Sequence, residues 1–390
     1  MTKPAILGRK PVFSRDKNIP ILRPTLPDMK TLMPRLKKAF RSGQITNASN
    51  VREFEALAAE YLGVKYCVAV SSCTSGLILV QKCLGLKGEV IVPSFTFHAT
   101  VHSLLWNNLT PVFADCRLDT FNIDEEKIEG LINKKTSAIL AVYLYGNPPA
   151  IEKLEHIAGK YNLKLIFDTA HAFGSEYKGL KAGGFGNAEI FSLSPTKLLI
   201  TGEGGLVATN DKPLADKLKI ARNYGDSGNY DCEFNGLNAR MAEFNAILGI
   251  EGLKIVDKKI KIRNKIAGLY TDFFKNYKGI SFQEIEKGNL STFKDYSIIV
   301  DSDILGIDRD IISVALEKEN IATKKYFYPP VHMQKAYRPY VRTGLEATEK
   351  LSSRVLSLPI YCSLNDKAIE KICLAFARIF EHRDEIKRVF

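Results

Sequence analysis

The chain has 390 residues, 45% hydrophobic and 25% charged, with a formal net charge of +12. This suits a soluble globular protein of two domains, or one large α/β domain with an appendage, rather than a single small core. No apolar run is long enough to span a bilayer, and the first ten residues lack the apolar core of a signal peptide, so the expected location is the cytoplasm. The seven cysteines are scattered with no Cys-x-x-Cys pair, and the six histidines form no ligand-spaced cluster, which argues against a metal site or a disulfide framework.

Residues 1–30 carry Pro4, Pro11, Pro20, Pro24 and Pro27 and read as an irregular arm. Leu32–Arg41 has an amphipathic pattern, with Pro34 tolerable only in a first helical turn. Val51–Leu62 places Phe54, Leu57, Ala58 and Leu62 on one helical stripe. Strand candidates then follow at Cys67–Val70, Val90–Val92, Val112–Ala114, Ala138–Leu144, Leu163–Phe167 and Ile190–Leu193, and Leu206–Thr209 reads as a return strand. Helix-length segments lie between most of them, at Thr74–Leu84, Thr100–Trp106, Asp124–Leu131 and Ala150–Tyr161. Apolar strands alternating with helices predict a mainly parallel sheet covered on both faces. Asp216–Arg222 and Ala239–Val256 read as further helices, and the pattern changes near Asp257. The expected organisation is an arm over 1–30, a large domain over 31–256 and a smaller α+β domain over 257–390.

No Gly-x-Gly-x-x-Gly fingerprint or Walker motif occurs, and no helix-turn-helix, zinc finger or aromatic-plus-basic RNA signature is present. The basic residues are spread along the chain, so small anionic ligands are expected rather than nucleic acid or a membrane. In open α/β sheets, ligands bind past the carboxyl ends of the strands. Ser71-Ser72-Cys73-Thr74-Ser75-Gly76 follows the first strand and opens a helix, a place suited either to an anion or to a plain Ser/Thr cap. Pro93-Ser94-Phe95-Thr96-Phe97 follows the second and offers an aromatic face, although Phe95 and Phe97 also suit a core. Asp168 ends a buried strand and needs a donor or cation. Lys197 follows an apolar strand and precedes Gly202-Glu203-Gly204-Gly205, where a desolvated amine suits Schiff-base chemistry and a snorkelling lysine is the plain alternative. An anion cradle, an aromatic plate, a buried carboxylate and a buried lysine on one sheet edge together meet the needs of pyridoxal phosphate.

With these motifs, and with Asp168-Thr169-Ala170-His171-Ala172-Phe173-Gly174 and Gly236-Leu237-Asn238-Ala239-Arg240-Met241, the chain resembles the sugar aminotransferases of the DegT/DnrJ/EryC1/StrS family from about Ser42 to the C-terminal segment. The resemblance implies an aspartate-aminotransferase-like fold (type I). It has a mainly parallel seven-stranded sheet in the large domain and a smaller α+β C-terminal domain. It implies pyridoxal 5'-phosphate as cofactor, with Lys197 as the Schiff-base lysine and Asp168 paired to the pyridine nitrogen. Phe97 would stack on the ring, Thr74, Ser75 and Ser192 would contact the phosphate, and His171 would lie near the ring hydroxyl. Asn238 would reach the phosphate of a neighbouring subunit, which implies a homodimer with shared active sites. The implied reaction moves an amino group from L-glutamate to a nucleotide-linked keto-deoxysugar, with a lean to a 4-keto-6-deoxy sugar. A ketocyclitol is the closest rival substrate. Related sugar dehydratases resemble a version with histidine in place of the lysine, and a non-enzymatic regulator on this fold would need an added DNA-binding domain. The chain departs from the family pattern at Cys73, at Gly76 and in the loop Thr46–Asn50, which leaves the sugar's identity open.

Overall fold

A computed structural model describes residues 1–390. The chain opens with α1 (Met29–Ser42) and α2 (Ser49–Leu62), then enters the sheet at β1 (Tyr66–Val70). It continues through α3 (Cys73–Cys83), β2 (Glu89–Pro93), α4 (His98–Trp106), β3 (Thr110–Ala114), β4 (Thr136–Val142), α5 (Ile151–Lys160) and β5 (Lys164–Asp168). A short hairpin of β6 (Glu176–Tyr177) and β7 (Leu180–Lys181) precedes β8 (Ala188–Ser192) and β9 (Gly205–Thr209), followed by α6 (Lys212–Ala221) and α7 (Glu243–Leu253). The seven-stranded sheet runs β1-β9-β8-β5-β4-β2-β3; β9 is antiparallel to both of its neighbours and all other pairs are parallel.

Period-two alternation builds the two cores of this sheet. On β1, Cys67 and Ala69 join a cluster with Phe54, Leu154 and Ile250 from α2, α5 and α7. Val68 and Val70 point the other way, into a cluster with Leu77, Val101 and Leu218 from α3, α4 and α6. Because helices cover both faces, the strands read as continuous apolar runs, which is what made them visible in the sequence.

The remaining chain forms α8 (Val256–Phe274), β10 (Ile280–Phe282), β11 (Tyr296–Val300), α9 (Ser302–Leu305), α10 (Arg309–Lys318), α11 (Glu346–Arg354), β12 (Val355–Leu358), α12 (Asp366–Glu381) and α13 (Arg383–Lys387). β10-β11-β12 form a small antiparallel sheet. Helix α8 belongs to both bodies. Val256 and Ile260 pack into the large-sheet core, whereas Ile266, Tyr270 and Phe274 pack into the small-sheet core. The change of pattern near Asp257 therefore falls inside a helix rather than in a linker. Phe13 and Ile19 of the N-terminal arm also enter the small-sheet core, and Ile19 bridges Ile321.

Several boundaries differ from expectation. Asp124–Leu131 is not an α-helix but two short 3-10 turns, Glu125–Lys127 and Glu129–Leu131. The buried Glu125 carboxylate is pinned by Lys153 at 2.8 Å and Arg117 at 3.4 Å, and Gly130 weakens continuation. Helix α1 starts three residues earlier than expected because Asp28 caps Lys30 N–H at 2.9 Å, which puts Pro34 in the second turn rather than the first. Ala239–Ala242 stays outside α7, held by a bridge from Ala242 to Thr46. No helix is long and apolar enough to cross a membrane.

Candidate active site

Strand ends of the large sheet meet around one cavity of about 360 Å³. Val142 and Asp168 reach it from the ends of β4 and β5, Ser192 from β8, and Thr96 and Phe97 from the segment after β2. Ser72, Cys73 and Thr74 reach it from the turn into α3, and Lys197 from the loop between β8 and β9.

Lys197 sits in a tight turn closed by its own N–H to the Ser194 carbonyl at 3.0 Å. The loop around it is tied down at both ends. Leu193 N–H donates to the Gly204 carbonyl, Thr201 N–H to the Leu193 carbonyl, and Asn245 to the carbonyls of Thr201 and Glu203. From below, the buried ammonium of Lys259 on α8 donates to the Leu198 carbonyl at 2.9 Å and to the Thr25 carbonyl of the arm at 2.7 Å. The backbone next to Lys197 is thus fixed by both the bridging helix and the arm. Burial lowers the Lys197 amine to about 8, helped by the Lys294 charge and opposed by Asp295, Cys73 and Asp168.

Asp168 is buried, and burial raises its carboxyl above the usual range. Thr100 Oγ1 donates to one oxygen at 2.7 Å and Ala170 N–H to the other at 3.0 Å. These bonds, with the Lys197 charge, favour the carboxylate, yet Asp168 forms no ion pair with any side chain. A buried carboxylate in this state fits a ligand that brings its own N–H cation. His171 is driven well below the usual histidine range by burial and by the Lys197 and Lys294 charges, so its ring is neutral. Its Nδ1 accepts from Tyr145 N–H at 3.2 Å, which leaves the proton on Nε2.

The N-terminus of α3 is shaped to receive an anion. The N–H groups of Cys73 and Thr74 have no intramolecular acceptor, and the Thr74 hydroxyl makes no hydrogen bond. Gly205 on β9 runs against this turn; a Cβ there would lie 2.5 Å from the Ser72 carbonyl carbon and 2.6 Å from Cys73 N. Glycine is what lets the strand pass so close. The Ser75 hydroxyl is taken by the cap, accepting from Ser72 N–H at 3.0 Å and donating to the Ser72 carbonyl at 2.8 Å, and Ser75 does not line the cavity.

Phe95 and Phe97, alike in sequence, part company. Phe95 is buried edge-on to Phe121 and Phe327, whereas Phe97 is 48% exposed on the cavity wall. Asn238 is exposed and outside this chain's cavity, bridged to Asn223 and beside Tyr224 and Leu237, which are also exposed.

The opposite wall comes from the small-sheet body: Lys294, Asp295, Tyr326 and Phe327. Sequence reasoning missed Lys294 and Asp295, because two adjacent opposite charges before a strand resemble a solvated edge. It noted the aromatic, proline-rich run from Tyr326 to His332 but gave it no role. No cluster of His, Cys, Asp or Glu suited to a metal ion is present.

The DegT/DnrJ/EryC1/StrS aminotransferase family profile matches residues 28–377. The chain is 36% identical over 367 residues to a dTDP-4-amino-4,6-dideoxy-D-glucose transaminase of Escherichia coli, covering 92% of this chain and 97% of that one. It is 34% identical to a dTDP-3-amino-3,6-dideoxy-alpha-D-galactopyranose transaminase of Aneurinibacillus thermoaerophilus, over 90% and 95% of the two chains. The crystal structure of DesI in the presence of its TDP-sugar product superposes with a TM-score of 0.93 at 33% identity, over 99% of this chain and 98% of that one. The residues around the cavity fit pyridoxal phosphate, and the chain belongs to the DegT/DnrJ/EryC1/StrS aminotransferase family of pyridoxal-phosphate-dependent enzymes.

Proposed function

We propose that this aminotransferase moves an amino group from L-glutamate to the carbonyl carbon of a nucleotide-linked keto-deoxysugar, with a 4-keto-6-deoxy sugar favoured. The observation that carries the reading is the convergence of Lys197, Asp168 and the open N-terminus of α3 on one cavity. The net charge of +12 suits a diphosphate-bearing substrate, and the similar enzymes named above act on dTDP-linked amino sugars.

When bound, pyridoxal phosphate supplies a ring that takes up the electron pair left on a substrate carbon as its proton leaves. Lys197 would hold the cofactor covalently and would take and return the proton at the substrate carbon, a role that its burial beside the cavity supports. The Asp168 carboxylate, fixed by Thr100 and Ala170, would accept the ring N–H and keep it protonated. His171 would donate from Nε2 to the ring oxygen, and Phe97 would offer an aromatic face to the ring. The N–H groups of Cys73 and Thr74 and the hydroxyls of Thr74 and Ser192 would hold the phosphate. Ser75 shapes that cradle through the cap.

A panel of dTDP-, UDP- and GDP-linked ketosugars plus a ketocyclitol, each offered with glutamate, tests the reading. One keto-deoxysugar nucleotide should be aminated with release of 2-oxoglutarate. Preference for the ketocyclitol, or loss of water without amine transfer, would establish the rival readings.

We further assign Asn238 to the phosphate site of a second copy of this chain, in a homodimer with shared sites. Its exposure and its absence from the lining of its own chain's cavity support this. Mixing two inactive variants, Lys197→Ala and Asn238→Asp, should restore activity on subunit exchange, because one site of each mixed dimer carries neither lesion. Proven exchange without recovered activity would refute sharing.

A further inference from the structure

Lys294 and Asp295 are buried on the cavity wall, and no part of the cofactor cradle uses them. The Lys294 ammonium lies 2.8 and 3.0 Å from the two Asp295 carboxylate oxygens and 5.3 Å from the Tyr326 ring centroid. These are the only polar partners of either group. An ammonium has three donors and a carboxylate about four acceptor positions, so both retain unused capacity beside the cavity. A desolvated ion pair needs further hydrogen bonds to offset the loss of water, and here the protein supplies none.

The backbone around the pair is held with care. Lys294 N–H donates to the Tyr145 carbonyl at 2.8 Å. The buried Arg263 of α8 donates to the carbonyls of Phe293 at 3.0 Å and Lys294 at 2.7 Å. Thr292 Oγ1 donates to the His171 carbonyl at 2.7 Å, tying the segment to the cofactor side of the cavity. Phe293, just before the pair, sits at φ +43°, a left-handed conformation that strains a non-glycine residue.

We propose that Lys294 and Asp295 form a specificity element that recognises a free hydroxyl of the sugar ring. A hydroxyl donates and accepts at once, and so completes both partners of a neutral couple. A carboxylate would gain from the lysine and lose to the aspartate, and an ammonium the reverse. The donor glutamate, which carries both charges, is therefore poorly matched to this pair, whereas an uncharged polyol is well matched. The inference rests on the keto-sugar reading above.

The test compares the two half-reactions, run separately and followed by the cofactor's absorbance. The probes are glutamate and the amines dTDP-4-amino-4,6-dideoxy-D-glucose and dTDP-3-amino-3,6-dideoxy-galactose, together with the 2-deoxy and ring-deoxy analogues of each. In the wild type, one deoxy analogue should fall about 100-fold in kcat/KM against its parent, the scale expected when buried polar groups are left short of a partner. Asp295→Asn should lower the parent by a similar factor, leave glutamate within about threefold, and remove the penalty for the analogue. The double variant Lys294→Met with Asp295→Leu replaces the pair by apolar groups, which buried sites tolerate. It should fold, retain the cofactor and no longer discriminate the analogue, and calorimetric binding of the two amines should show the same loss. Equal slowing with glutamate, or an analogue penalty that persists in the variants, overturns the assignment. If the wild type turns over none of the sugars but still reacts with glutamate, the keto-sugar reading itself falls.

Discussion

On the large-sheet side of the cavity, the groups that would act on cofactor sit at or just past a strand's carboxyl end: Cys73 and Thr74 after β1, Asp168 on β5, Ser192 on β8. On the small-sheet side, Lys294 and Asp295 precede β11, and they reach the cavity because Arg263 and Tyr145 hold their backbone there. The first wall follows a topological rule for parallel sheets; no such rule governs the edge of a three-stranded antiparallel sheet. The first wall also carries free N–H donors and a lone carboxylate, suited to one charged ligand, whereas the second carries a neutral pair. A generic cofactor half and a substrate-reading half are thus joined by α8, whose Lys259 steadies one wall and whose Arg263 steadies the other.

The largest effect that would test this division is on the cofactor wall. Lys197→Ala is expected to lower turnover by about 10⁴-fold or more, since it would remove both the proposed covalent anchor and the proposed proton carrier. Borohydride reduction followed by mass spectrometry should find no cofactor attached to the variant. A persistent covalent adduct would move the anchor elsewhere.

Asp168→Asn should bind cofactor and fold normally but lose about 10²- to 10³-fold in turnover with every amino donor and acceptor alike, because a preorganised charge is gone. Steady-state rates with two acceptors check this. A loss confined to one substrate would blur the contrast between the walls, since substrate-selective effects belong to Lys294 and Asp295.

The smallest effect couples the walls through charge. In the cofactor-free protein, burial lowers the Lys197 amine to about 8, from 10.5 for an ordinary lysine. The reactive neutral amine should therefore grow about tenfold per pH unit up to about 8 and then level off. The rate of reconstitution with pyridoxal phosphate, measured by absorbance from pH 6 to 10, should follow that curve. Lys294 pushes the amine down and Asp295 pushes it up. Lys294→Met should accordingly move the midpoint to higher pH and Asp295→Asn to lower pH. Unmoved midpoints would show the walls to be electrostatically independent.

The parallel strands were legible because each is buried on both faces and reads as an apolar run; β5, closed by Asp168, is the clearest case. Lys197 and the cap at Ser72 were legible because their signals lie within a few residues of chain. Other features were not. Phe95 and Phe97 carry the same local pattern and both meet Phe327, and only packing such as that of Phe95 against Phe121 makes the first core and leaves the second on the cavity wall. Gly130 and the ion pairs that pin the buried Glu125 carboxylate turned an expected helix into 3-10 turns.

By itself, then, the sequence determined the strand-and-helix alternation, the chemical set at the strand ends and the family to which they belong, because hydrophobic period, helix capping and turn chemistry act over a few residues. The tertiary structure alone decided that α8 bridges two cores, that the Ser75 hydroxyl is consumed by its cap, and that Lys294 and Asp295 face Lys197 rather than water. Those outcomes depend on contacts such as Tyr145 with Lys294 and Lys259 with Leu198. Each joins segments far apart in the chain, and desolvation at such a contact decides whether a charged side chain remains a surface group or becomes part of a site.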